Sequence, residues 1–131
     1  GEDKTAMYNA GIAANFAQWN LPAPAASYYT QSSVALNGTN NMKKIAEQAY
    51  LAAFPNGMAG WRLWRRTGFP VLTPSPAPLD PNHAVTPRRY TFTASEYSLT
   101  PAGVITSLQA LVPAGSSQAG DLQESRIWWD Q

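Results

Sequence analysis

The stretch Trp61-Arg62-Leu63-Trp64-Arg65-Arg66-Thr67-Gly68-Phe69-Pro70 decides how the rest of the chain is arranged. Two tryptophans and three arginines fall within six residues, followed at once by glycine and proline. On a helix Trp61 and Trp64 share a face, and Arg65 lies one turn beyond Trp61. Arg62 and Arg66 form a neighbouring stripe. Gly68 suits a left-handed C-cap, and Pro70 cannot continue the helix. The spacing therefore predicts a short helix that buries an indole face and aims guanidinium groups at something planar and acidic. Arginine fits that task because its fork matches carboxylates and its plane stacks on rings. The acid is expected within this same chain, because buried charges are usually paired internally.

Working backwards, Met42 to Phe54 reads as the clearest helix, capped by Asn40 or Asn41. Ile45, Ala49 and Ala53 fall on one line, with Tyr50 and Phe54 beside it. Pro55-Asn56-Gly57 ends it sharply, so it forms an αα-hairpin with the Trp61 helix. Further back, Thr5 to Gln18 is amphipathic, with Tyr8, Ile12 and Phe16 recurring every four residues and Trp19 closing the stripe. Pro24 fits the first position of a short helix through Tyr29 or Gln31. Ser32 to Asn40 reads as loop with an Asn37-Gly38 turn, and Val34 to Leu36 is a brief candidate strand.

Working forwards, six prolines (70, 74, 76, 78, 81 and 87) exclude helix and central strand between Pro70 and Pro87. The segment is extended coil, either a free linker or a strap pinned on the aromatic helices. The rich flanks on both sides favour the strap. Arg88 to Phe92 is extended, with Tyr90 and Phe92 on one side. Thr100-Pro101 starts another helix, with Val104, Ile105, Leu108, Leu111 and Val112 as its apolar face. Pro113 stops it, and Gly115 to Gly120 is a polar loop. The chain closes on Trp128-Trp129-Asp130, an end expected to be packed down.

The 131 residues fit a single domain spanning 1–131 with one modest core. A formal net charge of +1 lacks the basic footprint of a nucleic-acid binder. Cysteine is absent, which removes disulfides, thiolate metal sites and cysteine nucleophiles. No stretch reaches the ~20 apolar residues of a membrane-spanning helix. Gly1-Glu2-Asp3-Lys4 reads as a cut start, with any targeting signal outside this sequence.

The order of motifs carries a resemblance. Tyr8-Asn9-Ala10-Gly11-Ile12 comes first. Lys44-Ile45-Ala46-Glu47-Gln48-Ala49-Tyr50, Phe54-Pro55-Asn56-Gly57 and Gly60-Trp61 follow. Then come Arg65-Arg66-Thr67-Gly68-Phe69-Pro70, Pro87-Arg88-Arg89-Tyr90, Glu96-Tyr97 and Trp128-Trp129-Asp130. This resembles the C-terminal part of the SusD/RagB family of nutrient-binding outer-membrane lipoproteins, over about Tyr8 to Asp130. The resemblance implies a mainly α fold, in which tetratricopeptide-type helix hairpins support long ordered Pro-rich coil. It implies a lipoprotein on the external face of the outer membrane that pairs with a SusC-like TonB-dependent transporter. The ligand implied is an oligosaccharide or polysaccharide, or a peptide in RagB-like branches. The membrane is reached only through an N-terminal lipid anchor that this chain lacks. Two departures stand out: Ala59 replaces a frequent glutamate, and Ser98 to Thr100 lacks a frequent asparagine.

Glycoside hydrolysis needs two positioned carboxylates. The acids here are few, and Glu96 and Asp130 lie near arginine-rich segments. They read as ion-pair acceptors for Arg65, Arg66, Arg88 and Arg89, and no catalytic residue is assigned. His83, alone in the Pro-rich coil, has no partner for a metal site, so neither metal nor cofactor is expected. Trp19, Tyr28 and Tyr29, at helix ends beside loops, are the candidate ligand-stacking residues. The alternative is a structural or docking module with no ligand contacts of its own.

Overall fold

A computed structural model of the chain describes residues 3–78, 84–111, 121–127 and 130. The expected packing of Trp128 and Trp129, the exposure of His83, and the loop from Gly115 lie outside the described residues. The described helices are α1 (Lys4–Gln18), α2 (Ala26–Tyr29), α3 (Asn41–Ala52), α4 (Gly57–Thr67), α5 (Ala94–Leu99) and α6 (Pro101–Gln109). The chain is mainly α, with long coil between α4 and α5. It divides into two compact units, Gly1–Pro70 and Val71–Gln131.

In the first unit, α4 is the helix expected around Trp61. Asn56 caps it by accepting from the Ala59 N–H at 3.0 Å. Gly68 closes it at φ 74°, its N–H donating to the Trp64 carbonyl at 2.7 Å. An added Cβ at Gly68 would meet nothing within 4 Å, so only the backbone angle demands glycine. Gly68→Ala is therefore expected to cost about 1 kcal/mol through strain alone. The check is the denaturant midpoint, with an unchanged slope.

Helices α3 and α4 pack as a hairpin joined by residues 53–56. Gly60 makes the close approach possible: a Cβ there would stand 3.3 Å from the Tyr50 ring. The face of α3 that packs differs from the expected line. Lys44 and Ala46 are buried, whereas Ile45 and Phe54 are 40% and 69% exposed. Lys44 is the reason. Its Nζ donates to the Ala35 carbonyl at 2.7 Å and to Asn37 Oδ1 at 3.0 Å, tying the preceding loop onto the helix. Two charge-assisted bonds offset the burial of the ammonium. The Ile45–Ala49 line instead borders an open apolar groove against α1, alongside Met7 and Ile12.

Three local expectations change in this unit. Val34 to Leu36 is no strand, because the N–H groups of Val34 and Ala35 both donate to the Gln31 carbonyl and wind a helical turn. Pro24 precedes α2 rather than opening it, since Ala25 makes the first helical bond, to Tyr28. Asn40 occupies the N-cap of α3 without a side-chain cap; it is there for its left-handed backbone at φ 54°.

In the second unit, α6 begins at Pro101 as expected and buries Val104. Helix α5 was not anticipated. Thr93 caps it by accepting from the Glu96 N–H at 3.4 Å. Thr93-Ala94-Ser95-Glu96 is a Thr-x-x-Glu start signal, so the spacing was there to be read. Because α5 runs straight into α6, Thr100 turns its hydroxyl back to the Glu96 carbonyl and carboxylate rather than capping α6.

Tyr90 and Phe92 do not share a side: Tyr90 is 87% exposed, while Phe92 is half-buried. The N–H groups of Arg88 and Arg89 both donate to the Gln123 carbonyl, which bends the chain and breaks the period-two pattern.

Candidate functional site

The arginines of the second unit converge on its acids. Arg88 pairs with Asp130, whose side chain is 1% exposed. Arg89 pairs with Asp121 and lies over the Phe92 ring at 5.0 Å. Asp121 also accepts from the Phe92 N–H at 2.8 Å and the Tyr97 hydroxyl at 2.9 Å. Partial burial pushes the Asp121 carboxyl up, but the bonds from Arg89, Tyr97 and Phe92, with the Arg89 charge, prevail and hold it below its usual value. The bond to Asp121 raises the Tyr97 phenol. Asp121 thus occupies the acceptor role that sequence reasoning gave to Glu96. Glu96 is exposed and instead accepts from Thr100 at the α5–α6 junction.

The arginines of α4 divide. Arg65 is buried, its guanidinium 4.2 Å above the Trp61 ring, one turn away as the spacing requires. Arg66 is exposed, so its expected place in an ion pair is not seen among the described residues.

Trp19, Tyr28 and Tyr29 also separate. Tyr28 packs edge-on against Phe16 at 5.7 Å and Tyr29 at 5.9 Å, and its hydroxyl donates to Gln48 at 3.2 Å. Both tyrosines are half-buried and occupied in joining α2 to its neighbours. Trp19 is 43% exposed at the C-cap of α1, and its ring lies 5.7 Å from Phe54 at 43°. Phe54, read from the sequence as part of the packed face of α3, is more exposed still. It borders a hollow of about 120 Å³ with Tyr50, Pro55 and Asn56. The two rings form a solvent-facing aromatic edge with a polar amide at its border, fit to receive a flat or C–H-rich ring. The signal for Phe54 was Pro55 directly after it: the helix ends there, and a ring on its last turn projects past the hairpin.

Among the described residues no group of three His, Asp or Glu side chains is placed to hold a metal ion. Of the acids outside the second unit's ion pairs, Glu47 lies 3.8 Å from Lys43 on the surface of α3.

The family model described as "Starch-binding associating with outer membrane", a SusD-like family, matches residues 1–93. No curated protein matches the chain. Among solved structures, a SusD homologue from Bacteroides ovatus is 24% identical with a TM-score of 0.78. A Bacteroidetes AC2a SusD-like protein is 20% identical with a TM-score of 0.73. Both alignments take in 100% of this chain but only 33% and 26% of the respective relatives, so the chain spans about a third of their length or less. At these identities the likeness carries the fold.

Proposed function

Since the chain belongs to the SusD-like family described as starch-binding and associating with the outer membrane, we propose that it is part of a non-catalytic, glycan-binding component of a nutrient-uptake system. In this reading the whole protein is lipid-anchored on the external face of the outer membrane. It hands oligosaccharides to a SusC-like TonB-dependent transporter. The observation that carries the ligand part is the exposed Trp19–Phe54 edge. A sugar ring lays its C–H face on such a surface, and nearby amides take its hydroxyls. The absence of catalysis is supported by where the acids stand: Asp121 and Asp130 are committed to arginines, and an ion-paired carboxylate is a poor general acid.

Isothermal titration of the full-length protein with malto-oligosaccharides tests this. Trp19→Ala is expected to weaken binding about tenfold, the worth of one lost stacking contact. Affinity unchanged by Trp19→Ala removes this edge from the site. A second reading, a docking module without ligand contacts, is favoured by Tyr28 and Tyr29 being turned inward. Co-purification with the transporter, and no heat with any glycan, decides for it. Heat with peptides instead points to a RagB-like branch.

A further inference from the structure

The second unit holds a cavity of about 670 Å³ that no step above has used. We propose that this cavity is a separate binding site for a neutral saccharide. The inference rests on the glycan-binding reading but places a site far along the chain from Trp19 and Phe54.

The volume falls within the ~300–1,000 Å³ range of small-molecule sites. Its wall alternates two kinds of surface. Pro74, Pro78 and Pro87 present rigid C–H faces, while Ser75, Thr86 and Gln123 present hydroxyl and amide groups. A pyranose has the same alternation: apolar C–H faces, with hydroxyls around its rim.

The charge in the wall selects among ligands. Asp121 lines the cavity but is occupied by Arg89, Phe92 and Tyr97, so it helps to shape the wall without serving a cation. Glu124 also lines it, and a carboxylate there repels phosphate, sulfate or uronate groups. The guanidinium of Arg89, the cation that might have received an anion, is paired with Asp121. A peptide laid on as an added strand is disfavoured too. Such pairing needs a row of backbone donors. The prolines that line this cavity have no N–H to give. What remains is a neutral, hydroxyl-rich ring.

The test is amide chemical-shift mapping of the whole chain titrated with maltotriose, with xylotriose and mannotriose as further probes. At least one is expected to shift Ser75, Thr86 and Gln123 in a saturable manner. Ser75→Tyr, which blocks the cavity, and Thr86→Val, which removes one hydroxyl at constant shape, are each expected to weaken that response about tenfold. Trp19→Ala is expected to leave it within about twofold, since distant sites act independently. Thermal unfolding of each variant establishes that it is folded, and Thr86→Val carries the test if Ser75→Tyr is not. Shifts confined to the surroundings of Trp19 and Phe54 overturn the cavity site while the glycan-binding reading stands. Shifts nowhere overturn both, and cavity shifts indifferent to both variants overturn the site.

Discussion

Replacing Asp130 by alanine is expected to destabilise the second unit by about 3 kcal/mol or more, the penalty for breaking a buried ion pair from one side. Asp130 is almost fully enclosed, and the side chain of Arg88 is 11% exposed. The variant removes the carboxylate while the guanidinium stays behind in a low-dielectric surrounding. The pair also spans long sequence: Asp130 is at the end of the chain, and Arg88 lies in the bend held by the Gln123 carbonyl. Its loss is therefore expected to free the end of the chain as well as lower the melting temperature. Hydrogen exchange at Ile127 should accelerate, while exchange in α3 and α4 should not. Arg66→Ala is the control. That side chain is exposed, and surface substitutions stay within about 0.5 kcal/mol. Equal losses for Arg66→Ala and Asp130→Ala would contradict the assignment of the stabilising role.

The parts of the fold that were legible are those where local chemistry leaves one answer. Gly68-Phe69-Pro70 admits a helix stop and little else, and the indole–guanidinium spacing in α4 put Arg65 over Trp61. Pro55-Asn56-Gly57 fixed the hairpin in the same manner. The errors came where a long-range partner overrode a local pattern. Ile45, Ala49 and Ala53 make a plausible buried line by period alone. The loop at Ala35 to Asn37 captures Lys44, and that choice turns the helix. Arg88 to Phe92 alternates like a strand, yet a single carbonyl at Gln123 bends it.

The ion pairs show the same division. That these arginines would meet acids followed from burial and charge. Which acid meets which arginine did not, because Asp121 and Arg89 are brought together by the course of the chain and not by spacing. The candidate ligand edge was half legible. Trp19 was named for its place at a helix end. Phe54 was missed because its contact with Trp19 joins the ends of two helices that are far apart in sequence.

Asp121 also sets an expected pH dependence. Its carboxyl is held below the ordinary carboxylate value in the folded chain, so folding favours the ionised form. The stability it contributes is fully present above the unfolded value of about pH 4 and is lost as pH falls through the lower folded value. Asp121→Asn retains the size of the side chain but not its charge. At pH 7 it is expected to cost about 2 kcal/mol through weakened bonds to Arg89 and the Phe92 N–H. The gap between the parent chain and the variant should then narrow as the solution is acidified below about pH 4, because protonation makes the parent resemble the variant. At the alkaline end the sign reverses. The Tyr97 phenol is raised chiefly by its bond to Asp121, so that bond contributes fully below the ordinary tyrosine value and fades as pH rises through the raised one. Denaturant unfolding of both proteins from acid to alkaline pH checks both limbs. A gap that stays constant on acidification would mean that Asp121 holds Arg89, Phe92 and Tyr97 by geometry alone, with no contribution from its charge.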